Sequence, residues 1–114
     1  MIDNKAFFKD SESEWEYAAE GITRKFIGYN DQLMAVKVKF EKGAIGTVHN
    51  HVHTQGSYVA SGRFKITIDG KNEILEAGDG FFVSPDLSHG AECLEAGVLI
   101  DVFNPKRKDF LNEN

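Results

Sequence analysis

One cysteine, Cys93, occurs in 114 residues, so no disulfide within the chain can hold it together. Cys93 is expected to be a small buried hydrophobe, with a nucleophile or metal ligand as the lesser reading. No apolar run approaches the roughly 20 residues that a membrane-crossing helix needs, so no membrane partner is expected. The first ten residues, MIDNKAFFKD, lack the apolar stretch of a signal peptide, and a cytoplasmic protein is the expectation. Long basic runs are also missing. The formal charge is −5, and Lys106, Arg107 and Lys108 form the only basic triplet. Nothing there resembles a basic groove, so nucleic acid is not an expected partner. By composition alone the triplet reads as a solvated C-terminal face, with a site contact by one of the three as the lesser reading.

What is present suits one compact domain. The length allows a single hydrophobic core, and nine Phe within a 41% apolar composition argue against disorder. From Ile22 onward the apolar pattern has mostly a period of two. In Leu33 to Phe40, LMAVKVKF, Val36, Val38 and Phe40 share one face while Lys37 and Lys39 take the other. Asp69-Gly70 is a hairpin signal, and Ser61-Gly62 and Ala77 to Gly80 read as further turns. Ser84 to Gly90 reads as a loop, and Pro105 should end strand pairing. The spacing predicts eight to ten short strands in an all-β sandwich or closed antiparallel barrel. Ser11 and Glu14 either cap a short helix carrying Trp15 or run irregularly over a sheet.

The densest chemistry lies in Gly43 to Gly62, GAIGTVHNHVHTQGSYVASG. His49 and His51 are two apart, so on a strand both imidazoles would point to one face. His53 and Gln55 continue that parity, yet a fully extended run from His49 to Gln55 would span about 20 Å. Convergence on one ion therefore requires a bend around Val52 to Thr54, with Gln55 returning on the next strand. His89 is the fourth candidate, brought back by long-range pairing. A set of His49, His51, Gln55 and His89 suits one divalent ion, and zinc, nickel, manganese and iron all accept it. His53 fits better at the rim, supporting a ligand or meeting an acidic substrate. Tyr58 falls on the face opposite Gln55, and Arg24 has the charge to meet an acid but no readable placement.

Gly43-x5-His49-x-His51-x3-Gln55-x6-Gly62 resembles the first motif of the cupins, with Gln55 where most of them carry glutamate. Gly78 to His89 resembles the second, with the proline at Pro85 and Ser84 in its usual place. The resemblance implies a single-domain cupin, a double-stranded β-helix or jelly-roll barrel. It implies an N-terminal arm and first strands over residues 1–32, a barrel over 33–104 and a tail over 105–114. Within the cupins the chain is most similar to KdgF-type proteins, from about Leu33 to the ending LIDVFNPKRKDF at Phe110. That likeness implies metal-dependent ketonisation of 4,5-unsaturated uronates from pectin or alginate, a small acidic sugar-derived substrate and a homodimer. It also implies that Asp101, Phe103 and Arg107 line the substrate site. From the residues alone, Phe103 reads as core, and Asp101 reads as either a site residue or a hydrogen-bonded structural one. Another cupin reaction, an isomerisation or a dioxygenation, and a non-catalytic sugar- or acid-binding cupin are the alternatives.

Overall fold

The computed structural model describes residues 6–112. Met1 to Lys5, half of the stretch read for a leader, lie outside the described residues, as do 113–114 of the expected tail. Eight strands follow one another: β1 (Glu16–Ala19), β2 (Ile22–Tyr29), β3 (Met34–Phe40), β4 (Ile45–His49), β5 (Thr54–Ile68), β6 (Lys71–Glu76), β7 (Gly80–Val83) and β8 (His89–Asn104). Among the described residues the only helical turns are 3-10 turns at Asp10–Glu12 and Lys108–Leu111, and no helix is long and apolar enough to cross a membrane.

All pairings are antiparallel, and β5 and β8 run together along nearly their whole length. Their first and second halves serve two leaves. One leaf orders β1, β2, β3, the end of β8, the start of β5, and β7. The other orders β4, the start of β8, the end of β5, and β6. This is the expected all-β jelly-roll barrel. The strand count differs in kind, because two of the eight are long.

Ser61-Gly62 was expected to be a turn and is instead a kink inside β5, where the register against β8 shifts between Val59 and Phe64. Gly62 has φ of +83°, and a Cβ on it would lie 2.6 Å from the Gly97 Cα. The two strands cross so closely that both need glycine there. The shift also changes inward parity from Val59 to Phe64, so both halves of β5 still bury their apolar residues. At the tip of the second leaf, Asp69 and Gly70 both have positive φ, as a two-residue hairpin requires.

Between the leaves lie Met34, Val36, Val38, Phe40, Phe64, Leu99 and Phe103, with Phe40 and Phe64 edge to face at 5.2 Å. Removing such a ring costs about 3–5 kcal/mol. Cys93 is buried in this core, where burial pushes its thiol pKa up, consistent with a packing role. The N-terminal segment takes the irregular course: the Asp10–Glu12 turn has no side-chain cap. Trp15 lies 4.6 Å from the Lys25 Nζ and 4.4 Å from the Lys39 Nζ, while Asp10 pairs with Lys25 and Lys37. The lysines on the outer face of β2 and β3 thus hold that segment against the sheet.

Candidate metal centre and adjoining cavity

His49 ends β4 and faces His89, the first residue of β8, across a strand pair. His89 therefore starts a strand and does not sit in the loop expected for Ser84 to Gly90. His51 lies past the end of β4, so it does not share a strand face with His49 as expected. A bend at Val52 and His53 turns the chain instead, and the Asp86 N–H donates to the His51 carbonyl at 2.8 Å. Gln55 returns on β5, buried. The imidazole centroids of His49, His51 and His89 are 4.5–5.5 Å apart, and one nitrogen from each lies within 4.8 Å of the others. The loop with the shifted Pro85 still delivers His89 to this cluster.

Hydrogen bonding gives the cluster its character. Nδ1 of His49 meets the Thr47 carbonyl at 2.7 Å, that of His51 the His53 carbonyl at 3.2 Å, and that of His89 the Leu87 carbonyl at 3.0 Å. A carbonyl only accepts, so each Nδ1 carries the proton and each Nε2 presents a lone pair. His89 Nε2 is buried without a partner. His51 Nε2 lies 3.1 Å from Gln55 Oε1, which places two acceptors face to face. Lone pairs converging without a donor suit a cation, and three imidazoles with one amide oxygen suit a divalent transition metal. Burial, then the charge of Arg107, holds the His51 pKa below its usual value, and burial does the same for His89. Both lowered values favour the neutral, metal-ligating form.

A cavity of about 260 Å³ opens beside the cluster, between the leaves. Asp101 points into it from β8 and accepts a 2.6 Å hydrogen bond from Ser57 Oγ, directly across the β5–β8 pair. Burial raises its pKa to about 6, against the lowering effects of Ser57 and Arg107. Some of its surface remains accessible, but it faces this cavity, so the carboxyl still lacks bulk solvation. Phe103 serves both readings: it is 2% exposed in the core and also lines the cavity.

Arg107 overturns the composition-based expectation of a solvated triplet. It is buried, with its guanidinium 4.3 Å from the Phe110 centroid and 5.0 Å from that of Phe103. Nε and Nη2 are engaged by both Asp109 oxygens at 3.0 and 2.8 Å. Its fork is thus already held, and only its remaining N–H groups can meet a ligand. The neighbouring Lys106 pairs with Asp31, and Lys108 is exposed.

His53 stands at the rim. Its Nε2 donates to the Lys106 carbonyl at 3.1 Å, tying the tail to the cluster, and it packs 5.1 Å from the His51 ring. Tyr58 is on the outer face, half exposed. Arg24 does line the cavity, 4.2 Å from the Phe110 centroid and bonded to Glu16 at 3.0 Å. A charge in phase with Ile22 and Phe26 on β2 was the signal for it. Sequence reasoning missed Ser57, whose two-residue spacing from Gln55 puts both on the inner face.

Residues 36–103 match the family described as the cupin domain. The pectin degradation protein KdgF of Dickeya dadantii is 49% identical over 109 residues, covering 94% of this chain and 99% of that protein. An RmlC-like cupin from Shewanella frigidimarina superposes with a TM-score of 0.91 at 47% identity, over 93% of this chain and 96% of that one. KdgF from a Halomonas species gives 0.89 at 40% identity, over 93% and 98%. The barrel, the histidine cluster and these likenesses agree: the chain belongs to the cupin family and, within it, to the KdgF proteins.

Proposed function

We propose that this protein is a metal-dependent enzyme that ketonises 4,5-unsaturated uronates released from pectin or alginate. The observation that carries the reading is Asp101, with a pKa raised to about 6, sharing one cavity with His49, Gln55 and His89 of the acceptor-only cluster and with two arginines. In this reading His49, His51, Gln55 and His89 hold one divalent ion, with zinc, nickel, manganese and iron as the candidates. When bound, such an ion supplies a Lewis acid that polarises the reacting oxygen.

The other steps belong to the chain. In the linear, ring-opened uronate, ketonisation removes the proton of the enol hydroxyl and adds one to the neighbouring alkene carbon, with no net redox change. Ionised Asp101, held by the Ser57 hydroxyl, takes the enol proton and delivers it to carbon. Arg107 meets the substrate carboxylate through the N–H groups that Asp109 leaves free. Phe103 packs against the sugar-derived chain and keeps bulk water from the carboxyl. The test is loss of the ultraviolet absorbance of the conjugated double bond. Metal-loaded protein should accelerate it, and a rate equal to buffer would refute the reading.

The assembly in this reading is a homodimer. Ile45 and Val48 on the edge strand β4 are more than half exposed, as is Phe7, which supports it. Trp15, under its lysines, does not. Sedimentation velocity giving twice the chain mass is the expected result, and a monomer at high concentration would refute it.

A further inference from the structure

Gln55 and a glutamate at the same place would differ in one decisive respect. A carboxylate offers two equivalent acceptors, so either oxygen can face an ion. A carboxamide offers one acceptor and one donor group, and only one of its two orientations can serve as a ligand. With the amide turned over, N–H groups would point at the cluster and repel a cation. Something must therefore fix the orientation of Gln55.

We infer that Ser57 is the positioning residue that does so, with Asp101 setting its direction; the inference rests on the proposed role of Gln55 as a metal ligand. Gln55 Nε2 donates to Ser57 Oγ at 3.0 Å, and Ser57 Oγ donates to Asp101 Oδ1 at 2.6 Å. The serine has one hydrogen, and the carboxylate takes it. Its oxygen is then an acceptor toward Gln55, which selects the amide N–H and turns Oε1 toward the His51 Nε2. Backbone register supports the chain at both joints. Gln55 and Ser57 share the inner face of β5, and Ser57 is paired directly with Asp101 across β8. Replacing Ser57 by alanine leaves the strand pairing and deletes the oxygen that distinguishes the two amide orientations.

Competition for Zn²⁺ against a chromophoric chelator tests this with six purified proteins. These are wild type, Gln55→Ala, Ser57→Ala, Ser57→Thr, Gln55→Glu and the Gln55→Glu/Ser57→Ala pair. Ser57→Ala should weaken zinc binding roughly 10–100-fold when residue 55 is glutamine, the range for partners that orient a ligand. Ser57→Thr, which keeps the hydroxyl, should restore it. The same alanine change in the Gln55→Glu background should cost less than about 3-fold, because a carboxylate needs no orienting. Equal losses in both backgrounds would show that Ser57 merely supports packing and would overturn the inference. So would no loss beside Gln55, or no recovery with threonine. If Gln55→Ala binds zinc as wild type does, the ligand assignment itself fails, a result distinct from failure of the serine's role.

Discussion

Asp101 places a carboxyl where ionisation is costly, so Asp101→Asn should make the protein more stable while disabling it. The folded pKa of about 6 stands above the ordinary 3.8, with burial as the main cause. Below about pH 3.8 the carboxyl is neutral in both folded and unfolded chains, and it costs nothing. Between there and about 6 the unfolded chain ionises first, so stability falls as pH rises. Above about 6 the cost is complete, about 3 kcal/mol for a carboxyl raised from 3.8 to about 6. Water in the cavity screens part of this, leaving about 1–3 kcal/mol. Asparagine keeps an oxygen for the Ser57 hydroxyl and carries no charge. Urea unfolding of the metal-stripped proteins reads the difference, since a bound cation would mask it. Asp101→Asn should gain about 1–3 kcal/mol near pH 8 and almost nothing near pH 4. No gain near pH 8 would refute the reasoning. An equal gain at both values would trace the effect to packing and not to charge.

The same carboxyl should shape catalysis. The kcat of the metal-loaded enzyme should fall as pH drops through the Asp101 pKa, which is raised to about 6 by burial and which a bound cation beside the carboxyl brings lower. Asp101→Asn should lose about 10²–10⁴-fold in kcat and with it that acid limb, as pH–rate profiles would show. Arg107→Lys replaces a planar, ring-stacked fork with a point charge and frees Asp109, so KM should rise about 10-fold or more in steady-state kinetics while the fold persists. Gly97→Ala drives a Cβ into the Ser61 carbonyl and the Gly62 Cα, and should cost more than about 3 kcal/mol in urea unfolding. An unchanged midpoint would contradict the close strand crossing.

Local pattern told most about β3, where alternation put Val36, Val38 and Phe40 on one face without any knowledge of the partner strands, and Met34 joins them. The need for a bend between His49 and Gln55 was likewise legible, because strand rise alone forbids their convergence. The end of β4 at His49 was not, since it depends on where pairing with β8 stops. Nor was the continuity of β5. Ser61-Gly62 carries a turn composition, and only the crossing against Gly97 shows it to be a kink. Arg107 was the hardest to read from local pattern. It sits in a basic triplet after a proline, and its inward course depends on Phe103, Phe110 and Asp109 around a folded-back tail. Arg24 and Ser57 left a period-two trace, each a polar residue in phase with buried neighbours. Which polar atoms they would meet was set by strands far away in sequence.

Proton NMR of an unsaturated uronate in heavy water tests the central claim most directly. With metal-loaded protein the vinyl signal should decay faster than in buffer, and deuterium should appear at carbon 4 as the keto acid forms. Metal-stripped protein should leave the decay at the buffer rate, and Asp101→Asn should be about 10²–10⁴-fold slower than wild type. A metal-loaded protein that leaves the vinyl signal at the buffer rate, or whose Asp101→Asn variant turns over as fast as wild type, would contradict the account.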